Sequence, residues 1–241
     1  MIGDDKGLPV SITGLFGTAL GLYARRFPFY GLLAVLALGV QFVVDLLVML
    51  DTGLLIGLDI IIGAFLAASV SIGVAFDLAG KEADWSRIMT AASLRWGAVA
   101  VISLIGFFVY QLFAPYMTLP PAQTGFGLLL LPFVVLWGAV TIATVVAAIE
   151  PTKSRLTLPL VALGKGLGVS ARFVNLGRLM VFSVLLTLPL IAEIWIGAFL
   201  TLRGVGNVAF WSAVPVDMIT LGPLQALATV FYVDFLRRAG R

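Results

Sequence analysis

Glu193 stands in LTLPLIAEIWIGAFL and Asp45 in LGVQFVVDLLVML, each a lone carboxylate inside a long apolar run. In such a setting a carboxylate can bind a cation or relay a proton, and Gln41, one turn before Asp45, adds a neutral oxygen to that candidate acidic site. Pro189, one turn before Glu193, frees a backbone carbonyl nearby. The plainer reading is that Glu193 is protonated, pairs with Arg203 as its base, bonds a hydroxyl on a neighbouring helix, or faces a partner. Depth separates the acids. At 1.5 Å per helical residue, Glu193 lies about 22 Å from Arg178, Asp45 about 28 Å from Arg26 and Asp217 about 30 Å from Arg237. Glu193 is therefore the acid expected within hydrocarbon, at a cost of about 2.5 kcal/mol or more, with Asp45 and Asp217 near the far interface.

A second set of acids recurs where apolar runs end: Asp77 with Lys81 in AFDLAGK, Glu150 with Lys153 in AAIEPTK, and Asp234 with Arg237 and Arg238 in YVDFLRR. An acid followed three or four residues on by a base suggests a lock on helix ends. The plainer reading is local: a carboxylate at a helix C-terminus opposes the macrodipole, and the following base offsets this by a few tenths of a kcal/mol.

Cysteine and histidine are absent, which excludes disulfides, thiolate nucleophiles, imidazole bases and the metal and haem sites that need those ligands. The remaining Lys, Arg, Tyr, Ser and carboxylate groups show no catalytic spacing, so no enzyme, cofactor or metal is expected. GKGLGVS at 164–170 matches neither the P-loop nor the dinucleotide spacing, and no strand precedes it. Its glycines are expected to let a short helix lie close to the rest of the protein. Nucleic-acid binding gains no support, because the bases are spread along what reads as one membrane face.

The elements that must position these groups are membrane helices. The chain is 61% hydrophobic and only 11% charged, against roughly a quarter charged in ordinary soluble domains, and its mean hydropathy is +1.13. A hydrocarbon layer about 30 Å thick requires about 20 apolar residues of helix, and runs of that length occur near 28–50, 54–79, 97–118, 126–149, 178–201 and 211–235. Arg25 and Arg26 ahead of the first run do not mark a cleaved signal: the run is too long, no small-residue site precedes Asp45 and Asp51, and further runs follow. With six spans both termini share one side, and every base except Arg203 falls on it. The positive-inside rule then predicts cytoplasmic termini in a bacterial inner membrane.

A shorter amphipathic stretch leads each pair of runs. In SITGLFGTALGLYARR a single helical stripe holds Ile12, Leu15, Phe16, Ala19, Leu20 and Tyr23. In DWSRIMTAASLRW, Asp84 can cap, Trp85, Ile88, Met89, Ala92 and Trp96 form the apolar face, and Arg87 and Arg95 lie opposite. LTLPLVALGKGLGVSARF carries Lys165 and Arg172. These elbow helices are expected in the interface, with Arg25, Arg26, Arg87, Arg95, Lys165, Arg172 and Arg178 meeting anionic headgroups. GTALG and GLLIG are small-xxx-small patterns suited to close helix packing, and Gln225 is expected to hydrogen-bond between helices.

The stretch from AAIEPTKS through LVALGKGLGVSARFVNLGRLMVFSVLL, and the ending LQALATVFYVDFLRR, resemble the bacterial six-helix membrane family that includes the membrane domain fused to some glycerophosphodiester phosphodiesterases and related stand-alone proteins. The resemblance implies an acid closing the fourth helix, an amphipathic segment ending in bases, and a last helix finishing on Tyr with an acid and Arg nearby. Here those are Glu150, Arg172 or Arg178, and Tyr232, Asp234 and Arg237. Phosphodiesterase activity is not implied, since that domain and its histidines have no counterpart.

The expected protein is thus an all-α integral membrane domain over 1–241, with six transmembrane helices as three hairpins, each preceded by an amphipathic elbow. The repeat-like units are about 10–80, 81–152 and 153–238. Its expected role is non-enzymatic: a scaffold, accessory subunit or lipid-associated anchor, with anionic lipids or membrane-complex subunits as partners. The alternative is a small carrier or channel for a cation or solute using Glu193 and Asp45.

Overall fold

A computed structural model describes residues 11–36, 52–117, 126–150, 158–204 and 206–240. Among them all regular structure is helical. Ser11 opens α1 (Ile12–Arg25) by accepting the Gly14 N–H at 3.1 Å, satisfying one of the amides that a helix start leaves without a partner. Arg26 leaves helical geometry at φ −107°, ψ 12°, and α2 starts at once, described over Phe27–Leu36. Pro28 explains the break, because proline lacks an N–H and crowds the residue before it.

α3 (Thr52–Leu78) ends at Gly80. Its φ of +62° lets Gly80 N–H reach Asp77 O at 3.0 Å and Lys81 N–H reach Phe76 O at 3.0 Å, the paired bonds of a Schellman terminus. Asp84 caps α4 (Trp85–Met117), accepting the Arg87 N–H at 2.9 Å. Then come α5 (Phe126–Ile149), α6 (Leu158–Ser170), α7 (Phe173–Leu202) and α8 (Gly206–Ala239).

Helices occupy each of the six apolar intervals, although the first is described only to Leu36. Among the described residues three helices are long and apolar enough to cross a membrane: Ile60–Leu78, Trp85–Val109 and Pro132–Ile149. A fourth arises if α6 and Val174–Pro189, bent by 108°, are one broken span.

Burial sorts these helices into two layers. The spans in α3 and α5 are 67% buried, that in α4 only 22%, so α3 and α5 are inner and α4 is outer. α8 joins the inner layer: Ala226, Phe231, Tyr232 and Phe235 are fully buried, and α3, α5 and α8 pack against one another. Their sequences permit it, since AASVSIGVAF and GAVTIATVVAAI put small and β-branched residues on every side. In lipid, close backbone approach and packing hold helices together where no hydrophobic drive does. α4 covers α3 and α5, and α7 covers α5 and α8. The outer helices expose Leu104, Phe108, Leu112, Leu188 and Phe199, an apolar surface suited to lipid.

Two expectations change. The second elbow is not a separate helix: α4 runs unbroken from Trp85 to Met117, because no proline interrupts it before Pro115. α1 packs on α8, burying Leu15, Ala19 and Tyr23 while Phe16 and Leu20 stay exposed. The close approaches also fall elsewhere than the small-xxx-small patterns. A Cβ on Gly17, Gly21 or Gly57 would meet nothing within 4 Å, whereas one on Gly166 would lie 2.7 Å from the Ala143 Cα in the α5 backbone. One on Gly222 would strike the Tyr23 ring.

Candidate functional site

Three carboxylates gather at the end of the bundle where α3, α5 and α8 finish, and each is held by a base from another element. Arg26, between α1 and α2, forks onto Asp77 of α3 through Nε to Oδ2 at 2.8 Å and Nη2 to Oδ1 at 2.6 Å. Its remaining Nη1 donates to the Ala83 carbonyl at 2.8 Å. The fork uses the planar geometry that makes Arg–carboxylate pairs strong. Hydrogen bonds to Asp77 push the Arg26 guanidinium further up, against the partial burial that would lower it.

Asp234 of α8 is fully buried. Its Oδ2 accepts from Arg178 Nη1 at 2.6 Å and Arg238 Nε at 3.1 Å, and its Oδ1 from Arg237 Nη2 at 2.8 Å. Arg178 is thus the link from α7, and the other two are local. Asn175 Nδ2 bonds the Val169 carbonyl of α6 at 2.9 Å and the Phe235 carbonyl of α8 at 3.3 Å, fastening the bend between α6 and α7 to the end of α8.

Glu150, just past α5, receives the Lys165 ammonium of α6 at 2.7 Å and the Tyr232 hydroxyl of α8 at 2.6 Å, both on Oε1. Burial alone would raise this carboxyl; the bonds from Lys165 and Tyr232 outweigh it and hold the group below its usual value.

The local pairing expected for these acids is therefore corrected at Asp77. Asp77 is engaged by Arg26 rather than Lys81, which is exposed beyond the turn at Gly80. Glu150 is engaged by Lys165, and Lys153 lies outside the described residues. At Asp234 the expected Arg237 and Arg238 pairs are present, with Arg178 added. Among the bases expected to meet headgroups, Arg26, Lys165 and Arg178 hold carboxylates, and the exposed Arg172 donates through Nη1 to the Ala239 carbonyl at 2.8 Å. Arg87 lies over the Phe76 ring at 5.1 Å. Arg25 is exposed and Arg95 half-buried.

Deeper in the bundle, Gln225 of α8 donates through Nε2 to Ser71 Oγ of α3 at 2.8 Å and to Thr144 Oγ1 of α5 at 3.2 Å. All three side chains are buried, so one amide ties the inner helices together. Gln225 was legible as an interhelical group. Ser71 and Thr144 were not singled out, though each stands six residues before an exit acid, Asp77 or Glu150.

Above this node is a cavity of about 370 Å³ among α3, α4, α5, α7 and α8, with Gln225 and Thr144 in its wall. No protein-family model, curated protein or solved structure matches the chain. The site is accordingly read from its own chemistry. Among the described residues no cluster of carboxylates suits a metal ion. Asp45 and Gln41 lie outside the described residues, as does the side chain of Glu193, whose backbone belongs to α7. Arg203 is exposed, with its guanidinium 5.1 Å from the Phe199 ring centre.

Proposed function

We propose that the chain is a non-enzymatic, six-span membrane platform whose charged end faces the cytoplasm and gathers anionic lipid headgroups. The observation that carries this reading is how charge is disposed at that end. Asp77, Glu150 and Asp234 are all engaged by bases inside the bundle, and Asp234 alone meets three guanidiniums. The described acids remaining there are Glu82 and Asp84, against the exposed Arg25, Lys81, Arg87 and Arg172 in addition to the bases that hold carboxylates. The surplus is positive, and an anionic leaflet attracts it by about 1 kcal/mol per surface base. Trp85, exposed beside Arg87 at the start of α4, suits headgroup depth.

Three hairpins in a pseudo-threefold arrangement form this platform. Arg26 and Asp77 bracket the first as Arg178 and Asp234 bracket the third, 51 and 56 residues apart, and an aromatic ring follows each arginine by one turn, at Tyr30 and Phe182. Elbow packing supports the same symmetry, since α6 lies on α5 and α1 on α8. The resemblance to the glycerophosphodiester phosphodiesterase membrane domain agrees with this reading, as Glu150 meets Tyr232 and Arg178 meets Asp234.

Reconstitution into nanodiscs tests it. Thermal stability should rise when phosphatidylglycerol replaces phosphatidylcholine, and the gain should shrink at 1 M salt, where screening falls to about 3 Å. The Arg25→Gln, Lys81→Gln, Arg87→Gln triple variant should lose most of that gain while keeping its helical content. Equal stability in both lipids would refute the platform reading.

A further inference from the structure

The cavity above the Gln225 node is wider than the water-sized voids of close-packed interiors and falls in the range of roughly 300–1,000 Å³ typical of ligand pockets. Small residues create it: Gly63, Ala64 and Ala67 of α3 face Gly106 of α4 across it. α3 lines it from Ile60 to Ala67, a depth of about 10 Å. None of the described lining residues is ionisable.

At its polar end the hydrogen bonds among the described residues fix how the Gln225 amide is turned. Thr144 Oγ1 donates to the Thr141 carbonyl at 2.7 Å, so toward Gln225 it accepts, which places the amide nitrogen on that side. Gln225 Nε2 then serves Thr144 and Ser71 together, and Oε1 accepts no hydrogen bond from any described residue. Gln225 as a residue is 93% buried and stands in the wall of a largely apolar pocket, where an amide oxygen without a donor favours a ligand that brings one. Water fits poorly, since it needs two to four polar partners and the wall is chiefly carbon. A charged head is disfavoured at this depth.

We propose that the cavity is a binding site for a neutral single-chain amphiphile, a long-chain alcohol in type, whose hydroxyl donates to Gln225 Oε1 while its chain fills the space bounded by Ala67, Gly106 and Trp137. The site is separate from the headgroup surface, because none of the bases lines it.

Trp137 supplies the readout, since a brominated ligand quenches indole fluorescence only near contact. The purified full-length protein is titrated in detergent with 11-bromoundecanol and with 1-bromoundecane, taking the Trp137 component as the difference between wild type and Trp137→Phe. The alcohol should quench that component saturably, and the alkane should bind about tenfold more weakly, the equivalent of one hydrogen bond. Gln225→Leu should weaken the alcohol about tenfold and leave the alkane unchanged. Ala67→Leu, which fills the chamber without touching the node, should abolish saturable quenching by both while helical circular dichroism stays native. Non-saturable quenching, equal affinity for alcohol and alkane in the wild type, or quenching that survives Ala67→Leu in a folded protein would each overturn the proposal.

Discussion

Asp234→Asn removes a charge while nearly preserving shape, and its cost separates a cross-helix lock from a local helix-end pair. Were Asp234 only offsetting Arg237 and Arg238 along its own helix, its loss would cost a few tenths of a kcal/mol per pair. The structure instead shows a carboxylate with no exposure, held at 2.6, 2.8 and 3.1 Å by guanidiniums whose side chains are 11%, 13% and 24% exposed. One of them, Arg178, belongs to a different helix. Removing one partner from a buried ion pair costs about 3–5 kcal/mol, because the remaining charge is left buried. Partial access of water to the arginines places the expected loss at the lower end, about 3 kcal/mol. Reversible unfolding in mixed micelles, extrapolated linearly in denaturant, measures it. Arg178→Gln and the double variant complete a cycle in which Arg178 and Asp234 should couple by more than about 1 kcal/mol. A loss below about 1 kcal/mol for Asp234→Asn, or single-variant effects that add within about 0.5 kcal/mol, would refute the lock.

Tyr232→Phe removes a 2.6 Å bond to the Glu150 carboxylate and should destabilise by about 1.5–3 kcal/mol in the same assay, the range for bonds to charged groups. Glu150 sits below its usual value when folded, so its stabilising contribution is full above the unfolded value of about 4.3 and is lost as pH falls through the lower folded value. Stability of Glu150→Gln should accordingly be reduced at pH 7 and fall less than wild type as pH drops through that window. In α6, Gly166→Ala drives a methyl into the Ala143 backbone and should cost about 1–3 kcal/mol. Gly164→Ala and Gly168→Ala meet nothing and should each stabilise by up to about 1 kcal/mol from helix propensity, read as thermal shifts.

Hydropathy made the helices legible, and wherever the apolar intervals fall on described residues they coincide with helices. It could not tell inner from outer helices, since α4 and α5 are both apolar and only packing against neighbours distinguishes them. The exit acids were legible because each closes an apolar run. Their partners were not, because sequence proximity favours Lys81 for Asp77, whereas tertiary contact brings Arg26 from 51 residues away. Pro28 explains why α1 and α2 separate, and the absence of proline before Pro115 explains why Trp85 and Met117 share one helix. The role of GKGLGVS narrowed to one glycine, Gly166, since only the position facing Ala143 demands a bare backbone. Ser71 and Thr144 carried only a weak signal, a common spacing ahead of an exit acid.

Native mass spectrometry of the protein extracted with its own lipids, without detergent exchange, tests the platform account most directly. The account predicts that anionic lipid is retained in defined stoichiometry, and that the Arg25→Gln, Lys81→Gln, Arg87→Gln variant loses it while remaining folded. A wild-type protein that leaves the membrane with no anionic lipid, or with the same complement as the variant, would contradict it.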